Sequence, residues 1–184
     1  NNYTGKAQEA ILAAQQLAER AGQREMTPEH VVVALLQQRD GIVPAVLGKM
    51  NIDVAQTLSA AEARLAKLPR AQGGAAPGPS ARLRTVTTAA EQLAERLKDE
   101  FTSTEHLLLA IASETGRSPA ADALRQRGIT TDGILKALTA VRGSQRVTDQ
   151  NPEGKYQALE RYGRDLTDVA RKGKLDPVIG RDDE

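Results

Sequence analysis

Cysteine is absent from this 184-residue chain, which excludes disulfides, thiolate metal sites and a cysteine nucleophile and fits a reducing compartment. Aromatic residues make up only 2%, with one Phe and no Trp, so the core must be built from Ala, Leu, Val and Ile. There are two histidines and no H-E-x-x-H spacing, so a closed zinc site is not expected. No apolar run approaches the roughly 20 residues of a membrane span. The start, Asn1-Asn2-Tyr3-Thr4-Gly5-Lys6, leads into an amphipathic pattern rather than a signal-peptide core, and cytoplasm is the expectation. An excess of one charge sign is lacking too, with 25 Lys+Arg against 24 Asp+Glu. Bases and acids alternate, as in Glu19-Arg20 and Glu95-Arg96, so neither a nucleic-acid face nor an anionic-lipid face is expected.

What is present is helix-forming composition and an internal duplication. Ala14-Gln15-Gln16-Leu17-Ala18-Glu19-Arg20 recurs as Ala90-Glu91-Gln92-Leu93-Ala94-Glu95-Arg96, a shift of 76 positions. The same shift lays Thr27-Pro28-Glu29-His30 over Ser103-Thr104-Glu105-His106, and Val31 to Leu36 over Leu107 to Ala112. After one inserted residue, Leu47, Ile52 and Leu58 match Leu124, Ile129 and Leu135. A linear array usually needs at least three repeats to cover its core. Two copies are therefore expected to pack face to face as an all-α, pseudo-twofold globule.

Each copy reads as four helices. The first carries Ala7, Ala10, Ile11, Ala14, Leu17, Ala18 and Ala21 in one copy and Leu83, Val86, Ala90, Leu93, Ala94 and Leu97 in the other, the spacing of one helical stripe. Thr4 and Ser80 suit its N-cap. Thr27 before Pro28, and Ser103, start the second helix. Third helices are expected from about Val43 to Met50 and from about Pro119 to Arg127, with Asp53 and Thr131 capping the fourth. The boundaries that follow are repeat one over 1–68, a Pro/Gly-rich connector over 69–80, and repeat two over 81–142. A polar, flexible linker is expected over 143–155, and a helical start of a truncated domain over 156–184.

Two tandem copies with a Thr-capped first helix and a Glu-His pair opening the second resemble the double N-terminal domain of the Clp ATPases. Tyr156-Gln157-Ala158-Leu159-Glu160-Arg161-Tyr162-Gly163-Arg164-Asp165-Leu166-Thr167, then Gly173-Lys174-Leu175-Asp176-Pro177-Val178-Ile179-Gly180-Arg181, looks like the junction into the first AAA+ domain of the ClpB type. The resemblance covers the whole chain, and the tail is its more specific part. It implies a hexameric, ATP- and magnesium-dependent disaggregase working with a DnaK-type chaperone. In such a parent the N-domain binds unfolded or aggregated protein, a mobile linker lets it move above the pore, and the isolated module is expected to be monomeric. The alternative is an adaptor-docking N-domain of a protease-associated, ClpC- or ClpA-type ATPase.

The resemblance implies a substrate groove on the first helix of the second copy and the start of its second helix, at Ala89, Leu93 and His106. Ala89 and His106 stand where relatives often carry larger aliphatics, a departure expected to weaken or reshape the groove. For Leu93 the alternative is core packing. Three polar positions, Thr4, Asp99 and Glu105, carry over as a set that matters for substrate handling, with capping and loop structure as the alternative. Glu29 and Ser80 complete a pseudo-symmetric set with Glu105 and Thr4. In ClpC relatives that set receives phosphorylated arginine, a use not expected beside a ClpB-like tail. The copies diverge here, since Asp99 and Phe101 replace Gln23 and Glu25, so substrate contact is expected in the second half. Affinity is expected between millimolar and micromolar, about −4 to −8 kcal/mol, raised by avidity on a six-membered ring.

Catalysis is not expected. A P-loop needs G-x-x-x-x-G-K-[ST], and Gly5-Lys6, Gly48-Lys49, Gly154-Lys155 and Gly173-Lys174 are followed by neither Ser nor Thr. Nor does any nucleophile have a base partner. The 184-residue chain, incubated with ATP and magnesium, should release phosphate at the rate of a protein-free control; turnover above that control would refute the reading.

Overall fold

In the computed structural model, residues 2–70, 76–143, 145–148 and 150–153 are described. The chain divides into two compact units, 1–152 and 153–184, and the fold below is that of the first. The expected helical start over 156–184 lies outside the described residues.

Two short segments make the strongest demand on the architecture. In α2 (Pro28–Gln37) every residue from Pro28 to Leu36 is buried, and in α6 (Thr104–Ala112) every residue is. A helix that is apolar on all sides can sit only inside the protein, and α2 and α6 meet at its centre. The long amphipathic helices α1 (Gly5–Arg20) and α5 (Ala81–Arg96) cover them, α1 on α2 and α5 on α6. The covering face of α1 is Ala7, Ala10, Ala14 and Ala18, and that of α5 is Leu83, Val86, Ala90 and Ala94. Alanine at those positions lets the axes approach closely, which is how a chain this poor in aromatics fills its core.

The remaining helices are α3 (Ile42–Lys49), α4 (Val54–Ala66), α7 (Pro119–Gln126) and α8 (Thr131–Arg142). All eight helices expected from the duplication are present. The copies do more than meet face to face. Helix α3 of the first copy packs on α8 of the second, and α4, which lies mainly on α2 of its own copy, also touches α7. Two-residue strands cross in the same manner. β1 (Glu25–Met26) pairs in parallel with β2 (Gly78–Pro79), while Tyr3 bridges Thr102. The Thr4 amide donates to Thr102 O at 2.9 Å and the Ser80 amide to Met26 O at 2.9 Å. Each bond is the other's image under the 76-residue shift. The end of the expected connector, residues 78–80, is thus part of the interlock.

Caps follow the sequence with one correction. Thr4 accepts from the Ala7 amide at 3.2 Å and Ser80 from that of Leu83 at 3.0 Å. Asp53 caps α4 through the Gln56 amide at 3.0 Å. Helix α8 is capped by Thr130, which accepts from Gly133 at 3.1 Å, and not by Thr131, which is already helical. The shift of 77 that holds after the inserted residue aligns Thr130, not Thr131, with Asp53.

Leu109, 1% exposed in α6, has no way to shed its cavity. Leu109→Ala should lower stability by about 2–5 kcal/mol in urea unfolding, whereas Leu12→Ala, at a residue 55% exposed, should change it by less than about 0.5 kcal/mol.

Candidate functional site

Because α2 and α6 begin inside the protein, their first amides need partners other than water. In both copies histidine supplies one. His30 Nδ1 accepts from the Thr27 backbone amide at 3.0 Å and His106 Nδ1 from that of Ser103 at 2.9 Å. This is a capping box with imidazole in the place of Glu or Gln. Accepting at Nδ1 leaves the ring hydrogen on Nε2. Nε2–H then donates to the Gln23 side-chain carbonyl in the first copy and to Asp99 Oδ2, at 2.8 Å, in the second. Both rings are fully buried. Burial pushes the His30 pKa below its ordinary value, against a smaller opposing pull from the Glu29 charge.

The second copy adds charge. Asp99 Oδ1 accepts from Arg142 Nη2 and, at 2.9 Å, from the Val147 amide. Burial works against ionisation of Asp99. The bonds from His106, Val147 and Arg142, with the Arg142 charge, outweigh it and hold the carboxyl below its usual range. Glu105 Oε1 accepts from the Ser103 hydroxyl, and Oε2 lies 3.7 Å from Arg142 Nη1. The side chains of Asp99, Glu105 and His106 are all 0% exposed.

In the first copy the equivalent carboxylate is a pin between copies. Glu29 receives a two-pronged guanidinium from Arg82 at 3.1 and 2.9 Å, and the Ala120 amide at the start of α7 at 2.9 Å. Arg82 also reaches Glu114 and Ser118. The Glu29 carboxylate is therefore already gripped by an internal arginine, in the geometry an external guanidinium would need.

The sequence-derived residues thus separate into three groups. Asp99, Glu105 and His106 come together, with Thr4 alongside through its bond to Thr102; Glu29 and Ser80 form the counterpart set across the pseudo-twofold. Ala89 and Leu93 lie elsewhere, half-buried on α5. His106 is a correction: expected along the groove, it is enclosed and spends both ring nitrogens on internal bonds. The alternative readings of Thr4 and Ser80 as caps hold in the structure. Sequence reasoning missed Arg82, Arg142 and the bond between Gln23 and His30. Only Gln23 had a signal, since it stands seven residues before His30 as Asp99 stands before His106.

Two clefts flank the C-terminal end of α5. One, of about 600 Å³, is lined by Tyr3, Glu91, Glu95, Asp99, Glu100 and Thr102 among others. The other, of about 410 Å³, has Leu97, Leu135 and Leu138 as its apolar part and Arg96, Lys98, Arg142 and Arg146 around it. Leu97 continues the Ala89–Leu93 stripe by one turn. Lys98 holds a left-handed backbone, φ 61°, where the first copy has Gly22 at φ 67°, so a side chain is kept at this cleft at a steric cost of about 1 kcal/mol. Among the described residues no group of three or more His, Asp or Glu is placed to hold a metal ion, and no single helix is long and apolar enough to cross a membrane.

Known proteins bear on this geometry. The model of the Clp repeat (R) N-terminal domain matches residues 2–127. The chain is 46% identical over its whole length to the chaperone protein ClpB of Corynebacterium glutamicum, covering 22% of that protein. It is 45% identical over its whole length to the chaperone protein ClpB of Rhodopirellula baltica, covering 21%. It therefore spans about a fifth of the length of the curated relatives it matches. Its fold is similar to the crystal structure of the Hsp104 N-terminal domain from Candida albicans, with a TM-score of 0.74 at 21% identity, covering 83% of this chain and 99% of that one. It is also similar to the N-terminal domain of the ClpV1 ATPase from E. coli, with a TM-score of 0.67 at 20% identity, covering 83% and 91%.

The depressed His30 pKa sets a direction for pH dependence. Unfolded, the ring takes up a proton near pH 6.5; folded, it does so only at lower pH. Stability from this residue is thus complete above about pH 6.5 and falls as pH drops below it, by at most about 1.4 kcal/mol per pH unit. His30→Gln keeps a side-chain acceptor for the Thr27 amide and should flatten the thermal-midpoint slope between pH 7 and 5. An unchanged slope would refute this assignment.

Proposed function

The chain belongs to the Clp repeat N-terminal domain family, and we propose that it is the substrate-binding N-terminal module of a ClpB-type protein disaggregase, capturing unfolded or aggregated polypeptide for the hexamer pore. The observation that carries this reading is the accessible apolar stripe of α5. Ala89 and Leu93 are half-buried on a surface helix, and the stripe runs on through Leu97 into the cleft formed with Leu135 and Leu138. Leu135 is 38% exposed, one of two large exposed apolar side chains among the described residues. Non-native chains present extended apolar segments, and an apolar strip with a polar rim is the surface that receives them.

The family name carries the chaperone context, and the identity to ClpB proteins favours disaggregation over adaptor docking. In this reading the module itself does no catalysis. ATP and magnesium belong to the AAA+ domains of the parent, and a DnaK-type chaperone engages the parent rather than the module. The module works as a monomer on its own and as one of six on the ring, in the cytoplasm.

Titration of the 184-residue chain with a permanently unfolded protein, reduced and carboxymethylated α-lactalbumin, tests the reading. Leu93→Ser should weaken binding by about fivefold or more, the worth of a partly buried leucine at the contact, while leaving the unfolding midpoint within a few degrees. Equal affinity of the variant, or no binding by the native chain, would sink the capture hypothesis.

A further inference from the structure

We infer that Asp99, His106 and Arg142 form a latch for the chain's own residues 145–148 and 150–152. In this arrangement Asp99 and Glu105 act on substrate handling by fixing where the chain leaves the domain, not by touching substrate. The inference deepens the capture reading above and rests on it for the substrate itself; the latch stands on the following geometry.

After α8 ends at Arg142 the chain turns back across the start of the molecule. Val147 is 0% exposed. Its amide donates to Asp99 Oδ1 at 2.9 Å, and its carbonyl accepts from the Glu100 amide at 2.7 Å. Further on, Gln150 O accepts from the Gly5 amide at 2.7 Å. That amide opens α1 and has no partner within the helix. Asn151 Oδ1 lies 2.9 Å from where a Cβ on residue 5 would stand, so glycine there makes room for the strap. Pro152 is buried in turn. The expected flexible linker is therefore tied down at two points over its first residues.

Comparison of the copies separates this device from the general needs of the fold. The 76- and 77-residue shifts place Gln23 opposite Asp99, Leu65 opposite Arg142 and Ala81 opposite Gly5. The first copy thus closes its buried histidine with a neutral amide and has an aliphatic side chain at the guanidinium's position, while its own helix start, against which the strap lies, carries Gly5 where the second copy has Ala81. All three substitutions toward Asp, Arg and Gly occur where the strap lies. Meanwhile the Asp99 side chain has three donors on its two oxygens and is 0% exposed, and that of Glu105 is equally enclosed. Neither can meet an external polypeptide without losing partners whose loss would leave a buried charge uncompensated.

The strap also touches the proposed capture surface. Gln145 and Arg146 line the 410 Å³ cleft alongside Leu97 and Leu135. An occupant of that cleft meets the first residues of the strap directly, so docking of the strap and occupancy of the cleft are linked equilibria.

Amide hydrogen exchange and the α-lactalbumin titration, both on the 184-residue chain, test this with two variants. Asp99→Asn alters the latch from the domain side. Val147→Pro removes the strap's donor and leaves the Asp99 carboxylate in place. In the native chain the Val147, Glu100 and Gly5 amides should be protected. Each variant should speed exchange at Glu100 and Gly5 by about tenfold or more, the loss of one charge-assisted bond, with Leu107–Ile111 unchanged. Both variants should change the affinity for the unfolded protein by the same factor, within about twofold. Val147 exchanging at the free-peptide rate in the native chain overturns the latch. An affinity lost in Asp99→Asn but kept in Val147→Pro assigns Asp99 to substrate contact and overturns the inference. Should Asp99→Asn fail to fold, Val147→Pro carries the exchange test alone, and unchanged exchange at Glu100 and Gly5 in that variant overturns the latch. Absence of any binding by the native chain would count against capture alone, and the exchange data would still decide the latch.

Discussion

Two helices, apolar on every face, begin inside this protein, and their first turns must be closed without water. That constraint organises most of what surrounds them. An unpaired buried amide costs as much as a lost hydrogen bond, about 1–3 kcal/mol, and each copy presents several at one place. Histidine is suited to the position because its two ring nitrogens point in opposite directions. One closes the helix start and the other ties the preceding loop, through Gln23 or Asp99, to the same point. The crossed strands complete the closure, since the residue before each first helix bonds to the residue just before the second-helix cap of the opposite copy.

From this interlock comes the relation between fold and candidate function. In the first copy the buried polar set is wholly structural, with Glu29 pinned by Arg82 and the start of α7. In the second copy the same positions carry a denser cluster of charge, and the extra partners come from the last residue of α8, Arg142, and from Val147 beyond it. Duplication supplied two equivalent closures, and one of them was elaborated. The apolar stripe of Ala89, Leu93 and Leu97 lies on the helix leading into that elaborated closure, which gives a physical route between a surface that holds polypeptide and the place where the chain departs.

Much of this was legible in the sequence, for identifiable reasons. The repeat, the eight helices and the caps at Thr4, Ser80 and Asp53 follow from periodicity and from side chains whose preference for helix starts is local. The expected cap Thr131 and the actual one, Thr130, are adjacent threonines with the same preference for a helix start, and only the 77-residue shift from Asp53 tells them apart. The packing of α3 on α8 of the opposite copy was not legible, because periodicity shows that a helix has an apolar face but not what covers it. The pairing of Arg142 with Asp99, and of Arg82 with Glu29, joins residues far apart in sequence and has no local signature. His106 was misjudged for a related reason. A histidine at the third position of a buried helix has the same letter whether it faces a groove or caps its own helix, and only the enclosure of Ser103 and Asp99 beside it decides.

The central claim is that buried helix starts are closed by imidazoles that accept at Nδ1 and donate from Nε2. Nitrogen-15 NMR of the two histidine rings at pH 7 tests it most directly. The account predicts that both His30 and His106 carry their ring hydrogen on Nε2 alone, with Nδ1 bare and hydrogen-bonded. A ring of either residue protonated at Nδ1, whether as the other tautomer or as the imidazolium, would contradict it.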